Sequence, residues 1–271
     1  MINSSVLRWT QGALLGVLGL TITTAVHAAA FDAGIPAGWT CAGNCGTAGA
    51  DGVVTLAPGV NSGSQYGWIS TSGSSNTSAA LPGVGGSGHA ENGTVLRSNV
   101  FSAEAGEALE FYFNYITSDG AGFADYAWAR LLDASMNQVA LLFTARTAPT
   151  GSIVPGFDMP TPEATLPGGG APIIPGGPSW SPLGGDSGSC SQSGCGYTGW
   201  ILSTYEIANA GNYILEFGVT NWNDQAYASG MAFDGVTIGG VPLPTGVPEP
   251  VLPALVGLGL AALGLVRHRK V

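Results

Sequence analysis

Leu109-Glu110-Phe111-Tyr112-Phe113-Asn114-Tyr115 is the stretch on which the reading of the fold turns. Its odd positions are all apolar or aromatic and its even positions are mostly polar, the two-residue period of a β-strand with one buried and one wet face. Tyr213-Ile214-Leu215-Glu216-Phe217-Gly218-Val219 repeats that pattern more loosely. Working outward, short β-type runs broken by Gly, Asn, Asp and Ser recur at 53–56, 66–70, 94–102, 108–117, 126–132, 138–145, 200–207, 212–222 and 231–238. No long window carries the helical period. Short strands with turn residues at spacings of about 8 to 12 predict an all-β fold. The expected form is an antiparallel, jelly-roll-like β-sandwich over residues 31–240.

Composition adds to this. The 271 residues include 44 Gly and 17 Pro. Nine of the prolines (Pro149, Pro155, Pro160, Pro162, Pro167, Pro172, Pro175, Pro178 and Pro182) fall between 148 and 189, where the strand pattern stops. Such a segment is expected to sustain no ladder and to enter no core, so it reads as a surface insertion. Residues 70–93 form a second low-complexity loop. From Asp32 to Asp234 there are sixteen carboxylates against only Arg97, Arg130 and Arg146. A body with that balance is repelled by phosphate, which excludes nucleic acid as a partner.

The two ends read as addresses. Residues 1–30 carry Arg8, an apolar run at 12–26 and the small residues His27-Ala28-Ala29-Ala30, the pattern of a signal peptide cut by signal peptidase after Ala28 or Ala30. The tail, 241–271, holds Val247-Pro248-Glu249-Pro250, an apolar stretch at 251–266 and the basic cluster Arg267, His268, Arg269 and Lys270. Pro248 and Pro250 hold the junction extended, the form in which protease-like enzymes take a substrate. The apolar stretch reads as a transmembrane helix of roughly 24 Å, and the basic residues retain it on the cytoplasmic side.

This three-part tail resembles the PEP-CTERM sorting signal over 247–271. The resemblance implies an exported protein of a Gram-negative bacterium, recognised by a membrane-embedded exosortase. It would pass through the inner membrane by its C-terminal helix and end at the cell surface or in an extracellular, biofilm-type matrix. Tyr197-Thr198-Gly199-Trp200, Phe217-Gly218-Val219-Thr220-Asn221-Trp222-Asn223-Asp224 and Ser229 to Ile238 also resemble the closing strands of β-sandwich domains in bacterial surface proteins with such tails.

Four cysteines form two close pairs, Cys41 with Cys45 and Cys190 with Cys195. In an exported chain these read as two local disulfides; a four-thiolate zinc site is the alternative, better suited to a reducing compartment. Asp119, Asp125, Asp224 and Asp234 lie in or near loops and are candidate calcium ligands, with capping of their own turns as the competing role. No other cofactor is called for. His89, the one histidine of the body, sits in a Gly-rich stretch with no nucleophile elbow. Glu110, Asp125, Glu206 and Glu216 supply carboxylates without a specific glycosidase signal. Trp39, Trp68, Trp128, Trp180, Trp200 and Trp222 can be read as a sugar-stacking platform or as packing. Trp180, inside the Pro-rich segment, is the one expected to be exposed. The reading is therefore a structural or adhesive surface protein without enzymatic activity that meets extracellular polysaccharide; a carbohydrate-binding module and a secreted hydrolase are the alternatives.

Overall fold

The computed structural model describes residues 29–59, 63–148, 150–167 and 170–243. The expected signal peptide as far as residue 28, the expected sorting motif at 247–250, the apolar stretch at 251–266 and the basic cluster lie outside the described residues. Among the described residues no helix is long and apolar enough to cross a membrane.

Fourteen strands are formed by the described residues. They are β1 (Thr40–Ala42), β2 (Asn44–Ala48), β3 (Tyr66–Ser70), β4 (Ala90–Arg97), β5 (Phe101–Ala103), β6 (Ala108–Thr117) and β7 (Tyr126–Asp133). There follow β8 (Gln138–Arg146), β9 (Ile174–Pro175), β10 (Gly196–Tyr197), β11 (Ile201–Glu206), β12 (Gly211–Trp222), β13 (Ser229–Ile238) and β14 (Val241–Pro242). A first antiparallel sheet runs β1-β4-β12-β7-β8, with β5 also on β12. A second runs β2-β3-β13-β6-β10-β9, with β11 also on β6 and β14 on β13. Taking the eight long strands alone, β4-β12-β7-β8 faces β3-β13-β6-β11. Of the seven links between them only β7 to β8 stays in one sheet, and this is the strand order of a jelly roll.

The alternation in β6 does what its sequence asks. Leu109, Phe111, Phe113 and Tyr115 are fully buried between the sheets. There Phe113 stacks on Phe143 at 3.8 Å, and Phe217 stacks on Phe233 at 4.1 Å. The outer faces are covered as well. Outside the first sheet, Tyr126, Trp128 and Trp222 pack with Ala79 and Leu81 of the 70–93 loop. Outside the second, Tyr66, Ile116 and Ala232 pack with Val54, Trp180 and Leu183. Strand glycines make room for the largest rings. A β-carbon on Gly218 would stand 2.0 Å from the Trp128 indole, and one on Gly230 would stand 2.5 Å from that of Trp180.

Expectation and structure part in several places: β1 and β2 form where no run was expected, and β4 begins at Ala90, inside the expected 70–93 loop. The run expected at 53–56 is a turn, closed by a single bridge between Asp51 and Val54, and Val54 is buried beneath the outer cover. The run expected at 94–102 breaks into β4 and β5 because Ser98 pairs with Leu215 through its own side chain, its Oγ accepting the Leu215 N–H at 2.9 Å. The 148–189 segment is more than a surface excursion: Ile153, Val154, Trp180 and Leu183 are fully buried. It also pairs with the sheets, for Arg146 donates to the Ile153 carbonyl, Glu163 to the Leu141 carbonyl, and β9 joins β10. Prolines remove only their own donors, and the N–H groups between them remain free to pair. Finally Trp180 is wholly buried, not exposed, with its Nε1–H donated to the Tyr66 hydroxyl at 3.0 Å. Arg146, singled out by nothing in the sequence, is buried too. It donates to the Ala124 and Gly85 carbonyls at 3.0 and 2.9 Å and so ties two loops to β8.

Candidate functional site

At the end of the sandwich where β6 ends and β13 begins, Thr117 faces Ser229 across the ladder. The β6–β7 loop, the β12–β13 loop and the segment before β10 converge there and carry a buried polar cluster. Asp125 is fully buried. Its Oδ1 accepts the Trp222 N–H at 2.8 Å and its Oδ2 accepts the Ser229 hydroxyl at 2.7 Å. The Ser229 hydroxyl is also within 2.7 Å of Thr117 Oγ1. The Asp125 carbonyl accepts the Tyr115 hydroxyl at 2.8 Å, which ties the cluster to the core face of β6. Asp119 is as deeply placed: its Oδ1 accepts the Gly120 N–H at 2.7 Å and the Ser191 hydroxyl at 2.8 Å. Its Oδ2 has no hydrogen-bond partner among the described residues.

Removal from water dominates the electrostatics. Burial pushes the Asp119 carboxyl up to about 6, with the charges of Asp224 and Asp186 adding to the push. Burial, then the charge of Asp119, holds Asp125 well above the ordinary carboxylate range. A carboxyl whose pKa is raised on folding binds its proton more tightly in the folded chain. Its penalty is therefore full above about pH 6 and is relieved as pH falls toward the unfolded value of 3.8. Asp119→Asn keeps an oxygen for Gly120 and Ser191 and removes the charge. It is expected to stabilise the protein at pH 8 by on the order of 2 kcal/mol and to lose that advantage by pH 4. Denaturant unfolding of both proteins across that range checks this; a variant less stable at pH 8 contradicts it.

The four expected calcium ligands are not brought together as a set. Asp119, Asp125 and Asp224 feel one another's charge, and Asp186, unremarked in the sequence, joins them. Asp234 is placed elsewhere along the ladder, within β13 opposite Tyr112 and five positions along the strand from Ser229. Among the described residues no three His, Cys, Asp or Glu side chains are grouped closely enough to hold a metal ion. The Asp224 carboxylate caps its own turn, accepting the Ala226 N–H at 2.9 Å, which is the competing role given to it by sequence. Ser191, Ser229 and Thr117 were invisible beforehand because they meet only through loops and register.

Cys41 is bonded to Cys45 and Cys190 to Cys195, with Cα separations of 6.5 and 5.6 Å, and this overturns the four-thiolate zinc alternative. Both bridges staple the edges of the body: the first joins β1 to β2, which belong to different sheets, and the second closes the chain entering β10. The residues considered for catalysis are dispersed. His89 pairs with Glu91 at the surface at 2.8 Å. Glu216 is locked between Arg97 and Arg130 on the first sheet, whereas Glu110 bonds Thr204 on the second.

No family model matches the chain, and no curated protein sequence is similar to it. Among solved structures, the K1 cleaved adhesin domain of Lys-gingipain from Porphyromonas gingivalis W83 is similar over 76% of this chain and 92% of that domain, at 13% identity and a TM-score of 0.36. The K3 cleaved adhesin domain of the same protein is similar over 79% of this chain and 97% of that one, at 14% identity and a TM-score of 0.34. The enzymatically active domain of bacteriophage CBA120 tailspike protein 4 is similar over 75% of this chain but 19% of that one, at 14% identity and a TM-score of 0.28. Likenesses this weak say nothing of what the present chain binds.

Proposed function

We propose that this chain is an exported surface protein of a Gram-negative bacterium, sorted by an exosortase at residues 247–250 and serving a structural or adhesive role without catalysis. The observation that carries the reading is the sequence order of Pro-Glu-Pro motif, apolar stretch and basic cluster in 247–271. Two disulfides in the body support an oxidising destination. The role envisaged lies at the cell surface or in the extracellular matrix, after passage through the inner membrane. Signal peptidase and the exosortase are the processing partners. Cleavage after Ala28 fits the body better than cleavage after Ala30, since Ala30 is buried in the main core and the Ala29 carbonyl accepts the Asp32 N–H at 3.3 Å.

Processing at the tail is tested directly. In a host with an active exosortase the mature protein is expected to lose Arg267, Arg269 and Lys270, seen as a mass shift. Replacing Pro248 and Pro250 by Ala lets helix run through the junction and is expected to leave full-length protein in the inner membrane. Wild-type protein that keeps its basic tail in that host defeats the reading.

A further inference from the structure

Outside the second sheet a pocket of about 300 Å³ opens beside Trp68. Gly46 of β2 is the cross-strand partner of Trp68, and a β-carbon there would stand 2.6 Å from the indole. The ring therefore lies down over the backbone of β2 instead of standing off the sheet. Trp180 meets it edge-on, with centroids 6.5 Å apart and planes at 81°, and fixes its tilt. Trp180 is sealed in, whereas Trp68 is only half-buried and lines the pocket.

The rim is polar and already held in place. Asn44 donates its Nδ2–H to the Ser72 carbonyl at 2.7 Å, and Asp51 Oδ2 accepts the Ser181 N–H at 2.8 Å. This leaves Asn44 Oδ1 and the hydroxyls of Ser72 and Ser181 with no hydrogen bond among the described residues. The pocket thus joins a flat aromatic surface, fixed on one side, to a ring of short polar groups with capacity to spare.

We propose that this pocket binds one ring of a neutral polysaccharide. A pyranose has an apolar face of C–H bonds, which an indole can cover, and an equatorial rim of hydroxyls, which amide, hydroxyl and carboxylate groups can satisfy. The volume lies at the low end for ligand pockets, which suits a single ring with its neighbours running out into solvent. Asp51 in the wall, and a chain of net charge −10, oppose uronate and sulfate sugars. The proposal deepens the adhesive role above and rests on it only for where the polysaccharide would be met.

The test is calorimetric titration of the full chain, in a detergent without sugar headgroups, with cellohexaose, maltohexaose and chitohexaose, and with hexagalacturonate as the anionic comparison. At least one neutral hexamer is expected to bind and the uronate is not. Trp68→Ala is expected to weaken that binding about tenfold or more, the scale of losing one aromatic contact. Gly46→Val, which keeps the indole but displaces it, is expected to do the same. Should either variant fold poorly, Asn44→Ala with Ser181→Ala removes rim groups without touching the core and is expected to weaken binding as well. Absence of binding by all three neutral hexamers overturns the proposal. So does affinity that stays within about twofold in every folded variant, or equal binding of the uronate. Tail processing is scored separately, so unprocessed protein that binds a hexamer defeats only the sorting reading, and processed protein that binds none defeats only this one.

Discussion

Trp180→Ala is expected to lower the free energy of unfolding by about 3 to 5 kcal/mol, the range for deleting a large buried aromatic. The indole has no exposed surface, packs edge-on to Trp68, and occupies the slot above Gly230. Little can move in to fill the space, because the second sheet below it is pinned by β-ladders on either side of β13. The change also strips the Tyr66 hydroxyl, itself fully buried, of the indole N–H that it accepts. Burial pushes the Tyr66 phenol up to about 12, so it stays neutral and must find another partner or go without. Urea unfolding is the measurement, and limited proteolysis locates the effect, with new cuts in 148–189 expected first. A cost under about 1 kcal/mol would mean that the Pro-rich segment covers the sheet without stabilising it.

The second large effect is expected at Glu216. Its side chain is 1% exposed and bridges two guanidiniums: Oε2 to Arg97 Nε and Oε1 to Arg130 Nε, each at 2.5 Å. The ladder dictates the geometry, since Glu216 is the cross-strand partner of Arg97 on one side and of Arg130 on the other. Glu216→Gln keeps the shape, removes the charge and leaves two cations facing each other in the middle of the first sheet. Breaking a buried pair costs about 3 to 5 kcal/mol, and because Arg97 is 38% exposed and Arg130 18%, the low end is expected. Arg97→Ala should cost less, as Arg130 still neutralises the carboxylate. Replacing all three by apolar residues of similar size is expected to be close to neutral, since it removes the desolvation cost along with the attraction. Urea unfolding of the three variants decides it: a triple variant as unstable as Glu216→Gln would show that packing, not charge, sets the cost.

What the sequence made legible was the part governed by a two-residue period. β6 is where Leu109 to Tyr115 placed it, β3 coincides with the run read at 66–70, and the Glu216 strand followed from the same alternation. The strands of two or three residues, β1, β5, β9, β10 and β14, are too short to show any period. The outer covers were missed for a different reason. Proline and glycine counts speak of backbone freedom, whereas the burial of Trp180 depends on a vacancy that Gly230 creates some fifty positions later in the chain. The disulfide pairing was legible from spacing, the acidic cluster only in part. Asp119 and Asp125 lie one loop apart, but Asp186 and Ser191 reach them through the fold alone.

The strand order has a kinetic side. β3 and β4 can meet β2 and β1 early, but the other side of each stays open until β13 and β12 arrive, and Ser70 waits for Gly230 to complete its ladder. Synthesis from the N-terminus thus delivers the first long strands well before these late neighbours, and contacts of such long sequence separation close slowly. The β2–β3 pair and the β7–β8 hairpin can form from nearby chain while the rest is still being made. The last described strand, β14, ends at Pro242, five residues before Val247, so the body can close only when nearly everything ahead of the Pro-Glu-Pro segment has been made.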